Sequence, residues 1–160
     1  NMEPSNFHGN EELSINKLNW DFSKPHTLSF TVKETDIDLL GHVNNKVYLS
    51  WCETVSWDHS KKLGITPNTY LDLKCACVVI KSENNFKGSL YIDDHIEIST
   101  WIIDTDQKIK LSRYFQIINI SNNQTVFTSR VDYACISLNN FKPVRMPELF
   151  RKKYVITTNV

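Results

Sequence analysis

One helical period dominates the chain. From Asn45 to Leu63 the residues Val47, Tyr48, Trp51, Cys52, Val55, His59 and Leu63 fall on a single broad stripe, the pattern of a helix with one apolar face. Its ends are punctuated: Asn44 or Asn45 caps the first turn, Lys61 and Lys62 sit where the helix dipole favours cations, and Gly64 followed by Pro67 stops it. Such a helix is stable only when its stripe is covered, and the rest of the sequence supplies the cover. Leu28, Phe30 and Val32 alternate with Thr27, Ser29 and Thr31 ahead of it. Behind it, Leu71–Lys81, Leu90–Ile103, Lys108–Ile120 and Thr125–Leu138 are rich in isoleucine, valine, threonine and aromatic residues. Turn-like breaks at Asn84-Asn85, Asp104–Asp106 and Ser121–Gln124 separate these segments, so an antiparallel meander is expected. The fold class that follows is α+β, an antiparallel sheet of about five to six strands wrapped around one long central helix.

With 160 residues there is room for one domain and one core. The expected division is a loosely attached arm at 1–25, in which Leu13, Ile15, Leu18, Trp20 and Phe22 are positioned to dock, a folded domain at 26–152, and a tail at 153–160. Lysine plus arginine equals aspartate plus glutamate at 18 each, so no global field attracts nucleic acid, and the apolar runs, such as Cys75–Ile80, are too short for membrane insertion. Asn1–Asn10 lacks the layout of a signal peptide, and Asn1 ahead of Met2 reads as a cloning remnant. A cytoplasmic location is therefore expected. Cys52, Cys75, Cys77 and Cys135 are expected to be free, buried thiols rather than disulfides or metal ligands, and the two glycosylation-like triplets at Asn119 and Asn123 have no meaning in that setting.

The densest polar cluster of the domain lies just before the helix: Thr35, Asp36, Asp38, Gly41, His42, Asn44 and Asn45. A loop feeding a helix N-terminus gathers unpaired backbone N–H groups at the positive end of the dipole, which makes it a natural oxyanion site. Thioester hydrolysis requires little beyond this. An activated oxygen attacks the carbonyl, donors hold the oxyanion, and a thiol whose pKa is about 8.5 leaves without strong acid assistance. Asp38 suits the role of general base on water or of nucleophile forming a mixed anhydride, and both stay open on the residues alone.

The run TDIDLLGHVNNKVYLSWCE, Thr35–Glu53, resembles the signature of the 4-hydroxybenzoyl-CoA thioesterase branch of the hot-dog superfamily, and the resemblance extends from Thr27 to Leu149, including the closing Lys142–Glu148 segment. It implies the hot-dog fold and hydrolysis of an acyl-CoA to free acid and CoA, with no cofactor and no metal. By position it assigns Asp38 as the catalytic carboxylate and the Asn45 backbone N–H as the group polarising the carbonyl. His42, Asn44 and the Asn45 side chain match the HVNN element, as further catalytic or substrate-orienting groups. It also implies a homodimer or dimer of dimers with the active site between protomers. Plant acyl-ACP thioesterases are similar here, but their pattern resembles Asp-x-Asn-x-His, and Leu40 replaces that asparagine. The departure moves the expectation toward CoA substrates; an acyl-ACP thioesterase and a non-catalytic acyl-binding protein are the alternatives.

Blander roles compete at each position. Asp38 and Asp36 are common turn-capping residues, and Asp36 is expected mainly to hold the loop. His42 fits structural hydrogen bonding or substrate orientation better than general-base work. Glu53 lies off the apolar stripe, as a solvated carboxylate or, as in other hot-dog enzymes, a helix-borne acid. Tyr48 and Trp51 are core aromatics by default, compatible with lining an acyl pocket. Trp57, opposite the stripe, suggests a partner, the arm or a ligand, and Lys81, Lys87, Lys110 and Arg113 are weak candidates for CoA phosphates.

Overall fold

The computed structural model describes residues 17–160. Its elements are β1 (His26–Thr31), α1 (Asn45–Lys62), α2 (Pro67–Leu73), β2 (Cys75–Phe86), β3 (His95–Thr105), β4 (Lys110–Asn119), β5 (Gln124–Ser137) and α3 (Glu148–Lys153). The strands form one antiparallel sheet in the order β1-β3-β4-β5-β2. Irregularities at Val79/Lys81, Ile102/Asp104 and Ile117/Ile118 interrupt the register and bend the sheet. Against one face lies α1, its Tyr48, Trp51, Cys52 and Val55 packed among Ile96, Ile98, Phe115, Ile117 and Phe127. The α+β architecture with a sheet around a single long helix is the one expected.

Its strand order is not a simple meander. Only β3, β4 and β5 follow one another; β1 and β2 occupy opposite edges, because the chain between them runs through α1, an 18-residue helix about 27 Å long that carries it across the sheet. The strand expected from Leu71 begins instead at Cys75. Thr66 caps α2 by accepting from the Thr69 N–H, Pro67 opens it, and Lys74, at φ 55°, ends it. Asn84 and Asn85, read as a turn, are inside β2, where Ser129 Oγ donates to Asn84 Oδ1 at 2.7 Å. Pairing with β5 over the whole length of β2 overrides the local turn preference.

The ends of the described chain are built into the body. Trp20 and Phe22 meet Trp101 edge-on at 5.9 and 5.6 Å, and the Tyr114 hydroxyl donates to Asp21 at 2.6 Å. Leu13 and Ile15 lie outside the described residues. At the other end a boundary at residue 152 cuts the core, since Tyr154 is 2% exposed and packs with Phe150, Met146 and Ile65. An aromatic ring with a hydrogen-bonded hydroxyl at the sheet–helix junction holds this segment down.

Candidate active site

The loop ahead of α1 is a tight, internally bonded hairpin. Asp36 Oδ2 accepts from the Lys33 N–H at 2.9 Å, and its carbonyl accepts from the Asn44 N–H at 3.0 Å. Ile37 bridges Val43, and inside that bridge the Asp38 N–H donates to the His42 carbonyl at 3.0 Å. The Val43 N–H ties the hairpin to the Leu90 carbonyl at 2.9 Å. Gly41 turns the chain at φ 81°, a conformation costly for any residue with a Cβ.

Within this frame the half-buried Asp38 accepts from the Leu40 N–H through Oδ1 at 2.8 Å, and its Oδ2 has no partner among the described residues. One oxygen orients the carboxylate and the other remains available for a proton or a carbonyl carbon. Asn44 is the N-cap of α1, its Oδ1 accepting from the Lys46 N–H at 3.0 Å. The next N–H, that of Asn45, has no acceptor among the described residues, so it is the free donor at the positive end of an 18-residue helix. His42 is half-buried beside it.

A second feature lies along the flank of α1. A cavity of about 530 Å³ opens between that helix and strands β2, β5 and β4, lined on the helix by Leu49, Cys52, Glu53, Ser56, Trp57 and Ser60. Cys52, Ser56 and Ser60 recur every four residues, and their small side chains leave the space open. Glu53 is exposed at the outer part of this surface, while Trp57 is half-buried against Tyr70 at 5.1 Å rather than projecting freely. The hairpin residues Asp38, His42, Asn44 and Asn45 are not in the lining, nor are Tyr48 and Trp51. Those two aromatics turn the other way: Tyr48 donates to the Gly88 carbonyl at 3.3 Å and meets Trp51 and Phe86 edge-on and Phe127 at a tilt, and Trp51 stacks on Phe30. They are core, one helical step away from the pocket wall.

The buried end of the cavity carries a residue the sequence misplaces. Arg113 is only 2% exposed and cannot meet surface phosphates. Its Nη1 donates to His59 Nδ1 at 2.9 Å and Thr100 Oγ1 at 3.4 Å, its Nη2 donates to Ser60 Oγ at 3.1 Å, and it lies 5.6 Å from the Tyr154 ring centre. Ser60 Oγ in turn bonds the Tyr154 hydroxyl at 2.9 Å. Burial, then the adjacent guanidinium, hold the His59 imidazole down to about 3, so it is neutral and accepts through Nδ1. The phenols of Tyr70 and Tyr133, also in the lining, are pushed up by burial and stay protonated. The signal in the sequence is strand alternation, which puts Arg113 on the same face of β4 as Leu111, Phe115 and Ile117.

All four cysteines are free, and Cys77 faces Cys135 directly across β2 and β5. Cys75 and Cys77 are half-buried instead of fully buried. Among the described residues no three His, Cys, Asp or Glu side chains cluster as a metal site would require. No described helix is long and apolar enough to cross a membrane.

Comparison with known proteins bears on the family and the fold. A family model described as the thioesterase-like superfamily matches residues 32–154. A chloroplastic acyl-acyl carrier protein thioesterase of Arabidopsis thaliana, ATL3, is 23% identical over 133 residues, 83% of this chain and 69% of its own. Among solved structures, a 1,4-dihydroxy-2-naphthoyl-CoA thioesterase from Synechocystis superposes with a TM-score of 0.74 at 14% identity, covering 82% of this chain and 96% of that one. The protein SAV2348 of Staphylococcus aureus, solved in complex with CoA, superposes at 0.75 with 18% identity over 81% of each chain. Both structures share the fold described above.

Proposed function

The chain belongs to the thioesterase-like superfamily, and from that premise we propose that it hydrolyses an acyl-CoA thioester, with Asp38 supplying the activated oxygen and the Asn45 N–H holding the oxyanion. The observation that supports the reading is the half-committed Asp38 carboxylate on the hairpin leading into α1, whose Asn45 N–H has no acceptor among the described residues. In one form Asp38 takes a proton from water as that water bonds to the carbonyl carbon. In the other Asp38 itself bonds to the carbon, and water later cleaves the anhydride. In both the negative charge passes to the carbonyl oxygen, where the Asn45 N–H meets it, and then leaves with sulfur as the C–S bond breaks. His42 and Asn44 order the hairpin around these two groups.

Two observations favour rival assignments. Glu53 is the carboxylate in the cavity lining, so a helix-borne base is the competing assignment for the chemistry. The similarity to an acyl-acyl carrier protein thioesterase supports a carrier-bound substrate, against the Leu40 departure from that pattern. A homodimer completes the proposal: β2 is an edge strand whose Val79 and Ile80 are 58% and 53% exposed, and a second copy along that edge would cover them and wall the cavity.

The test is thiol release from a panel of short, long and aromatic acyl-CoA esters, each also presented on a carrier protein, by wild type, Asp38→Asn and Glu53→Gln. Loss of turnover in Asp38→Asn alone supports the assignment. Full activity in that variant, with loss in Glu53→Gln, transfers the role to the helix. Tight ligand binding with no thiol release from any ester identifies a non-catalytic acyl binder.

A further inference from the structure

We infer that the cavity beside α1 selects acyl groups bearing a carboxylate at their far end, recognised by Arg113. The inference rests on the reading of this chain as a thioesterase, and it names the substrate class that reading leaves open.

An arginine side chain has five N–H donors in one plane and remains charged in proteins. At Arg113 three are used, on His59, Thr100 and Ser60. The Nε–H and one Nη2 proton have no partner among the described residues. None of the three acceptors is an anion: His59 is neutral, and the other two are hydroxyls. The ion pairs among the described residues join His26 to Asp58, Lys81 to Glu83, Arg130 to Asp104 and Asp132, and Lys152 to Glu148, and none includes Arg113. Asp58, the acid on the same helical turn, is engaged by His26 at 2.7 Å. A guanidinium 2% exposed and without a counter-anion is costly, and a structure tolerates it where a ligand completes it. The last turn of α1 lowers part of that cost by presenting the negative end of its dipole.

The position of the charge within the cavity defines the ligand. Leu49 and Glu53, at the exposed end of the lining, and Ser60, at the buried end, are on one face of α1. From Leu49 to Ser60 the helix rises about 16 Å, the span of an extended acyl chain of about 14 carbons. Between the ends the walls are Ala76, Val78, Phe115 and Val131, which suit methylenes. An ordinary fatty acyl group would place its terminal methyl against the guanidinium and leave the charge unpaired. A terminal carboxylate takes two coplanar donors at once.

The experiment compares matched pairs that differ only in the distal group. Tetradecanedioyl-CoA and tetradecanoyl-CoA have the same carbon count, and the first ends in a carboxylate; wild type should favour it by about 10- to 100-fold in kcat/KM, the worth of hydrogen bonds to a charged group. Arg113→Met should abolish that preference. Binding of the monomethyl and dimethyl esters of tetradecanedioic acid, measured by calorimetry, asks the same question without CoA or turnover, with the monomethyl ester expected to bind more tightly by a similar factor. Failure to hydrolyse either CoA ester would overturn the proposed activity and leave the ester comparison to judge the pocket. Equal binding of the two methyl esters, or stronger binding of the dimethyl ester, would overturn the inference even if hydrolysis were efficient. Should Arg113→Met fail to fold, the wild-type comparisons still decide the matter, and Arg113→Lys, which keeps the charge without the planar fork, should retain a reduced preference.

Discussion

The two ends of α1 use the same helix in opposite ways. At its N-terminus the polar groups are near the surface, in a hairpin that commits one oxygen of Asp38 and leaves the other, with the Asn45 N–H, unengaged among the described residues. At its C-terminus Arg113, Ser60 and Tyr154 are buried and, with the half-buried His59, form one hydrogen-bonded group against the sheet. The dipole explains the division: its positive end suits a charge that develops during reaction, and its negative end suits a cation held permanently. On the proposed function, the accessible, locally ordered groups would serve chemistry and the buried, non-locally ordered ones recognition.

The comparison is broken most directly at the N-terminal end. Asp38→Asn keeps an oxygen for the Leu40 N–H, so the hairpin should persist while kcat falls by about 10²- to 10⁴-fold in a thiol-release assay; an equally large loss of melting temperature would assign the residue to structure instead. At the C-terminal end the expected stability change has the reverse sense. Arg113→Met removes a buried charge that no described anion balances, and the ligand-free protein should be unchanged or more stable, by up to about 4 kcal/mol, in urea denaturation.

A third test concerns pH. His59 is held at about 3 against an ordinary 6.5, so between those values the unfolded chain binds a proton here that the folded chain does not. Stability should therefore decline as pH falls from 6.5 toward 3 and be indifferent to this group above that window. His59→Gln, which retains an acceptor for Arg113, should flatten that decline in denaturation series at successive pH values. The smallest effect is expected at the cap: Asn44→Ala should cost about 1 kcal/mol of stability and lower activity only as far as the helix start frays.

Local regularities carried most of what was legible beforehand. The period of α1, its Asn44 cap and the hairpin with its aspartates are set by residues within a few positions of one another, and they were readable for that reason. Asn84-Asn85 shows where such reading stops, because pairing with Thr128 and Ser129 outweighs a turn preference that is real in isolation. Tyr48 and Trp51 are on the buried stripe that the period defines, yet the cavity lies one step around the helix, where Cys52, Ser56 and Ser60 leave room. An absence of volume at every fourth residue is a weak signal until a sheet stands opposite it.

The sequence by itself determined a long helix, its capped N-terminus and a β-rich remainder, since propensity, periodicity and capping act over single turns. Tertiary structure alone decided that β2 crosses to the far edge, that Tyr154 belongs to the core and that Arg113 ends up buried beside His59 and Ser60. Those outcomes depend on contacts between residues far apart in the chain, from Phe86 with Phe127 to Ser60 with Tyr154, and the free energy of burying a charge is set by what surrounds it in space.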